Sequence, residues 1–524
     1  MSGTSVRVPD IGDFEDVAPA ESGAESPRPE RERAPEPGGV RPPPPPPPPS
    51  PFDRGDVHAE VAVLGSGPGG YTAAFRAADL GKSVVLIERY PTLGGVCLNV
   101  GCIPSKALLH MAEVINEARD MAEYGIDFGQ PELDLARIRA RKNETVETLS
   151  AGLATLARQR KVQLVTGTGR FAAPHLFEVE TADGVTTVSF DQAIIAAGSQ
   201  PVQLPGVPHE DPRVMDSTAA LELAEIPPRI LVIGGGIIGL ELATVYDALG
   251  SEVTVVELLP ALMQGVDPDL VRPLHQRIRR RYANIFLETR VTRIEPQADG
   301  LRVTFEGPTA PDEDRFDRVL VAVGRRPNGS EIGAELAGVE VDERGFIRVD
   351  GQQRTSVGHV FAIGDITGEP MLAHKASHEG RTAAEVIAGL PASFDPAAIP
   401  SVAYTDPEVA WMGLTETEAK ARGVEIERGS FPWAASGRAL SLGRKDGLTK
   451  LIFSKETGRL VGAGMVGKNA GELVAETVLA LELGADAEDL ALTIHPHPTL
   501  SETVGFAAEL VEGTITDLYA PKKR

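Results

Sequence analysis

Lysine is missing from the first 81 residues, only two cysteines occur among 524, and aromatic side chains make up 5%. Basic residues are also scarce: 51 against 75 acidic ones, a formal net charge of −24. Phosphate binding needs a basic face, so nucleic acid is excluded as the main partner. The same deficit argues against docking on anionic lipid. The one basic knot in the body, Arg277, Arg279, Arg280 and Arg281, reads as a solvated helix face. Long apolar runs are lacking too. The longest, Ile230 to Leu240, has 11 residues and stops at Glu241, whereas a bilayer span takes ~20. The N-terminus has no apolar stretch of the secretory kind. The expectation is a soluble, cytoplasmic protein with no membrane partner. A secreted scaffold would carry many disulfides, so two cysteines this close together suggest metal or redox work. No further Cys or His lies within the next few residues to complete a zinc site, which favours redox.

A length of 524 residues suggests three or four domains at ~150 residues each. Residues 1–57 stand apart, since 15 of the 42 prolines fall within the first 51 residues, eight of them consecutive from Pro42 to Pro49. Such a run extends ~25 Å at ~3.1 Å per residue and builds no core. It reads as a disordered tail. From Glu60 onward apolar strands alternate with amphipathic helices, the pattern of α/β layering. One internal repeat is visible: GSGPGG begins at Gly65 and GGGIIG at Gly234. In both copies a glycine follows 16 residues on (Gly81, Gly250), and an apolar strand closes on glutamate 23 residues on (Glu88, Glu257). A lone copy of such a turn is weak evidence, but two with matched spacing are strong. In each, an apolar strand ends in a glycine turn that opens a helix, whose N–H groups and dipole suit a pyrophosphate. The glutamate can accept both hydroxyl hydrogens of an adenosine ribose. Glu257 would repel a 2′-phosphate, and no Arg or Lys occurs from Leu258 to Leu270, so the second site prefers NAD to NADP. After about Pro400 the pattern changes to strand-like runs such as Thr449 to Phe453, with a helix near 470–484.

The cysteines lie in GGVCLNVGCIPSKALLH, residues 94–110, with four residues between Cys97 and Cys102 and Lys106 one turn further on. This stretch, TSVGHVFAIGD at 355–365 and HPHPTLSE at 495–502 together resemble the flavin disulfide reductases, and among them the dihydrolipoyl dehydrogenases. The resemblance runs from about Val57 to Arg524. It implies two Rossmann-like dinucleotide-binding domains, for FAD and NAD, and a C-terminal α+β dimerisation domain. The expected boundaries are 58–200 for the FAD domain, 201–326 for the NAD domain, 327–397 for a central segment completing the FAD site, and 398–524 for the interface domain.

Roles follow from the resemblance residue by residue. Gly65, Gly67, Gly70 and Glu88 match FAD pyrophosphate and ribose contacts. Lys106 matches a lysine beside the flavin ring, Gly169 and Gly198 further FAD contacts, Asp365 the ribityl contact, and Ala373 a contact near the ring. Gly234, Gly236, Gly239 and Glu257 match the NAD site, with Glu241 near the nicotinamide and Gly324 lining that site. Cys97 and Cys102 match the redox-active disulfide, Cys97 facing substrate and Cys102 the flavin. His497 and Glu502 match the proton-handling pair, which in this family reaches the disulfide of the neighbouring subunit, so a homodimer is implied. His495 reads as packing, and Pro496 departs from the small residue usual between the two histidines. His374 and His378 read as local packing or surface groups. The activity implied is reoxidation of dihydrolipoyl groups of a 2-oxo acid dehydrogenase or glycine cleavage complex.

Rival readings fare worse. A mercuric reductase would carry a C-terminal cysteine pair, a glutathione reductase would carry arginines where Glu257 stands, and a transhydrogenase would lack the cysteines. A non-catalytic scaffold would have no reason to keep Cys97, Cys102, Lys106, His497 and Glu502 together. VRVPDIGDFEDV (6–17) resembles the opening strand of a lipoyl domain, but no lysine follows in the tail to carry lipoate.

Overall fold

Strands at the heart of each nucleotide unit are apolar at nearly every position, because a parallel strand covered by helices on both faces has no wet side. In the computed structural model, which describes residues Arg54–Tyr519, Val84–Glu88 is buried throughout, and Val57–Leu64 and Arg229–Ile233 are buried over their last four residues. The first sheet runs Gln163–Thr166, Val84–Glu88, Val57–Leu64, Gly184–Ile195, all parallel. The end of Gly184–Ile195 also takes Val360–Ala362 as a parallel neighbour, and its beginning pairs antiparallel with Leu176–Thr181. The second sheet orders Asn284–Phe286, Glu252–Val256, Arg229–Ile233, Arg318–Val321 and Val214–Met215, again parallel. The C-terminal unit is different, an antiparallel five-stranded sheet with Leu460–Gly467 at its centre, carrying helices Ala470–Leu483 and Glu502–Glu512. This is the expected fold class.

Residues 327–397 fold into the first unit. Their strand joins its sheet, and their helix Ala373–Ile387 packs on helix Pro68–Asp79. Glycines set how close these helices come: a Cβ on Gly380 would stand 2.5 Å from the Gly69 carbonyl oxygen. Arg76 and Glu385 pair at 2.7 Å along the same seam. The C-terminal unit is tied to the second by Lys450, 1% exposed, whose ammonium reaches Asp267, Asp269 and Glu416 at 2.8, 2.7 and 2.9 Å.

Two expectations need correction. Arg277 and Arg281 are not a solvated face: Arg277 pairs with Asp120 and Asp406, and Arg281 with Asp247, at 21% and 17% side-chain exposure. Only Arg279 and Arg280 are exposed. The tail limit at 57 is also too late. The Gly55 N–H donates to Ser189 Oγ at 3.1 Å, and the Asp56 carboxylate accepts from the Thr187 N–H at 2.9 Å and hydroxyl at 2.8 Å. Asp56 and Val57 therefore belong to the body, because the edge of Gly184–Ile195 gives them partners. The proline run and the lipoyl-like stretch lie outside the described residues. Among the described residues no helix is long and apolar enough to cross a membrane.

Candidate active site

Both glycine turns form as the spacing predicts, but their glycines do different jobs. Gly65 has φ +103° and Gly234 φ +112°, a region that L side chains avoid. A Cβ on Gly65 would lie 2.3 Å from the Ala196 carbonyl oxygen, and one on Gly234 2.4 Å from that of Ala322. On Gly70 and Gly239 it would lie 1.9 and 2.1 Å from the carbonyl oxygens of Gly65 and Gly234. These four positions are glycine so that strand, turn and helix can close on one another, and Gly65, Gly70 and Gly234 also line the cleft between the two turns. Gly67 and Gly236 differ, since a Cβ there would meet nothing within 4 Å. Each is the residue before a helix, Pro68–Asp79 or Ile237–Leu249, whose free N–H groups face the same open space.

The glutamates close each turn. Glu88 Oε2 accepts from the Ser66 N–H at 2.9 Å and the Ser66 hydroxyl at 2.6 Å, and Oε1 from the Tyr90 N–H at 3.0 Å. Glu257 repeats the arrangement with the N–H groups of Gly235 (2.7 Å) and Leu259 (2.9 Å). A single cleft of about 2300 Å³ runs between the two turns. It is lined by Gly67, Glu88, Gly169, Gly198, Asp365 and Ala373 on one side and by Gly236, Glu257 and Gly324 on the other. A Cβ on Gly198 or Gly324 would again find open space, whereas Gly169 is small because Leu64 Cδ1 would stand 2.8 Å away. Arg290 and Arg293 line the cleft as well, from a strand outside the stretch used to argue for NAD. Arg293 is paired with Glu295 at 2.7 Å.

The cysteines sit where the two halves of the cleft meet. Helix Gly95–Val100 carries Cys97, and Cys102 opens helix Cys102–Asp120. Gly95 presses that first helix onto the first turn, since a Cβ there would fall 2.6 Å from Gly67 Cα. The pairing implied by the resemblance is not formed in this structure: both are thiols, hydrogen-bonded to one another. Accepting that bond, with Lys106 adding positive charge, pulls Cys102 down to about 7 against the effect of its burial. Donating the bond, and burial, push Cys97 up. When the pair is reduced, the thiolate is therefore favoured at Cys102 over Cys97.

Lys106 and Glu241 were assigned to opposite nucleotides; the structure brings them together. Lys106 Nζ donates to Glu241 Oε2 at 2.7 Å, and its ammonium stands 4.4 Å from the centre of the Tyr404 ring. The Tyr404 N–H donates to Glu241 Oε1 at 3.0 Å. Tyr404 belongs to the third unit and no local signal marked it. Ser199 and Arg325 likewise carry no local signal, whereas Ser66 lies inside the first glycine motif and its hydroxyl shows its role only in its bond to Glu88.

His497 Nδ1 lies 2.8 Å from Glu502 Oε1, and Glu502 Oε2 accepts from the Thr499 N–H at 2.7 Å. His497 is 79% exposed and, with Glu502, lies outside the lining of the cleft that holds the cysteines. His495 instead pairs with Glu476 at 2.7 Å, which holds its imidazole above the usual range, and its ring abuts Gly505. His374 is bound to the Pro400 carbonyl oxygen at 2.8 Å.

Two dinucleotide turns converging on a cysteine pair define an oxidoreductase that couples a thiol/disulfide to nucleotide cofactors. The family model for pyridine nucleotide-disulphide oxidoreductases matches residues 59–380, and that for the dimerisation domain of the same family matches 399–508. The chain belongs to this family. Curated relatives named dihydrolipoyl dehydrogenase include those of Vibrio cholerae (59% identical) and Haemophilus influenzae (56%). Each match spans 470 residues and 90% of this chain, covering 99% and 98% of the relative respectively. Among solved structures, the HOCl-induced flavoprotein disulfide reductase RclA of Escherichia coli is similar with a TM-score of 0.77 at 28% identity, over 86% of this chain and 100% of that one. LpdA of Mycobacterium tuberculosis is similar with a TM-score of 0.79 at 26% identity, over 86% and 99%.

Proposed function

We propose that the chain oxidises dihydrolipoyl groups with NAD⁺, using FAD and the Cys97–Cys102 pair. The observation that carries this reading is the position of the cysteines, at the junction of two open glycine cradles. The cradles fit two dinucleotides: backbone N–H groups stand without side chains at Gly67 and Gly236, and a ribose acceptor waits at Glu88 and Glu257. FAD would be held by the first turn, Glu88, Gly169, Gly198, Asp365 and Ala373, beside Lys106; NAD by the second turn, Glu257 and Gly324, with Glu241 toward the nicotinamide. FAD supplies two-electron transfer between the thiol pair and NAD⁺ when bound.

The chain's own residues do the rest. His497, oriented through Nδ1 by Glu502, takes a proton on Nε2 from one substrate thiol. The thiolate attacks Cys97 Sγ of the disulfide, and Cys102 leaves as the thiolate that Lys106 stabilises. The second substrate sulfur displaces Cys97 from the mixed disulfide: His497 gives its proton to the Cys97 sulfur and takes up the proton of the second substrate thiol in its place. Substrate leaves oxidised, and the pair is left reduced.

The active unit in this reading is a homodimer, the cysteines of one chain being served by the partner subunit's His497. The family's dimerisation domain over 399–508 and the outward-facing His497 support this. Lipoyl domains of a 2-oxo acid dehydrogenase or glycine cleavage complex would be the partners, in the cytoplasm. The test is NADH formation from dihydrolipoamide by the purified, yellow enzyme. Rates with NAD⁺ should far exceed those with NADP⁺, since Glu257 repels a 2′-phosphate; equal or better rates with NADP⁺ would overturn the cofactor assignment despite Arg290 and Arg293.

A further inference from the structure

The chain crosses between the first and second nucleotide units twice, and the crossings pair as a short antiparallel ribbon. Ser199–Pro201 lies against Arg325–Pro327, with Pro327 opposite Ser199. From this ribbon Arg325 reaches into the cleft. Its Nε donates to Ser199 Oγ at 2.7 Å and its Nη2 to the Ser199 carbonyl oxygen at 2.7 Å. The Ser199 hydroxyl has one proton to give, and gives it to Asp365 Oδ2 at 2.5 Å. Ser199 is 3% exposed, so both bonds are shielded from bulk solvent. Burial opposes the Arg325 charge, and Asp365 and Cys102 are the first two groups that favour it.

Charge accounting shows why a second cation matters. Cys102 is faced by Cys97 from the preceding helix, Lys106 on its own helix, Glu241 from the second unit, Tyr71 from helix Pro68–Asp79 and Tyr404 from the third unit. Lys106 is already matched by Glu241 at 2.7 Å. A thiolate at Cys102 and the carboxylates of Asp365 and Asp216 are then left facing Arg325, the remaining cation of the group.

We propose that Arg325 is a positioning residue for the flavin-side chemistry: anchored on Ser199 across the ribbon, its guanidinium orients the Asp365 carboxylate and sets a buried positive charge on the Cys102 side of the cleft. This rests on the reading that flavin binds at Asp365 with Cys102 beside it. Two separable effects follow. The charge favours thiolate, and any cation would supply it. The grip on Ser199 needs two donors in a fixed fork, which lysine does not have.

The experiment compares full-length, flavin-loaded wild type, Arg325→Gln, Arg325→Lys and Ser199→Ala. After two electron equivalents of dithionite, the long-wavelength thiolate–flavin absorbance is titrated with pH, and flavin release is followed by fluorescence after dilution. Arg325→Gln should raise the pH midpoint of that absorbance by about one unit and release flavin about tenfold faster, the worth of one strong hydrogen bond. Arg325→Lys should keep the midpoint while releasing flavin faster. Ser199→Ala should also keep the midpoint and release flavin faster. Should Arg325→Gln fail to fold, the lysine and alanine variants carry the test. An unchanged midpoint in Arg325→Gln, or unchanged flavin release in both other variants, overturns the proposal. If wild type lacks the absorbance at every pH, the flavin-side reading of Cys102 is what fails.

Discussion

Gly236→Ala is the sharpest probe of which cradle takes which nucleotide. Gly236 has φ −85° and ψ −174°, extended backbone that alanine adopts freely. Its Cβ would meet nothing within 4 Å. The empty fold should therefore be as stable as wild type, or more so by about 0.4–1 kcal/mol through a less flexible unfolded chain. The methyl group would stand where the backbone must approach a pyrophosphate, and losing one hydrogen bond to a charged group costs about 1.5–3 kcal/mol. At ~1.4 kcal/mol per decade, KM for NAD⁺ should rise about 10–100-fold with flavin content unchanged. Gly67→Ala, at φ −61° and ψ 179°, is the mirror experiment and should weaken flavin retention instead. Gly239→Ala is the control for a structural glycine: its Cβ would lie 2.1 Å from the Gly234 carbonyl oxygen, so the melting temperature should fall. The assays are steady-state rates with varied NAD⁺ at saturating dihydrolipoamide, flavin-to-protein absorbance ratio, and a thermal melt. A Gly236→Ala enzyme with unchanged KM, or one that sheds flavin, would refute the assignment.

Cys102→Ser should stop dithiol-dependent NADH formation while leaving flavin bound, because Gly67 and Asp365 are untouched; full dithiol activity in that variant would rule out the disulfide route. In wild type the thiolate should be present above about 7, to which Cys102 is lowered, so the long-wavelength absorbance of the reduced enzyme should fade as the pH falls through that value. His497→Gln should lower turnover by about 10²–10⁴-fold, and His495→Gln by less, since His495 serves Glu476. The reverse order of the two effects would move the base to His495.

The parts of this molecule that were legible in sequence are those whose physics is local. Gly65 and Gly234 were visible because one turn demands positive φ, and Glu88 and Glu257 because they recur at one spacing from it. Cys97, Cys102 and Lys106 occupy consecutive turns of chain. What was not legible depends on distant partners. Arg277 and Arg281 read as a surface knot, yet their burial is decided by Asp120, Asp247 and Asp406, residues from three other segments. Tyr404, Ser199 and Arg325 carry no motif, and act through contacts made only when separate units close on one another. The distinction between Gly67 and its neighbours Gly65 and Gly70 needed coordinates too, since in sequence all three are simply glycine.

The two cradles share one geometry but differ around their glutamates. In the first, Ser66 adds its hydroxyl to the N–H that holds Glu88; in the second, the same position is Gly235, because a Cβ there would strike Leu262 Cδ2 at 2.5 Å. The first cradle is bordered by helix Gly95–Val100, and its helix Pro68–Asp79 is backed by helix Ala373–Ile387, which arrives from some 300 residues further along the chain. Glu88 is 8% exposed. The second is bordered by Leu258 and Leu259, 55% and 45% exposed. In the proposed assignment the retained FAD lies at the turn with the more buried glutamate, and NAD⁺, which must leave as NADH at every turnover, at the turn bordered by exposed leucines.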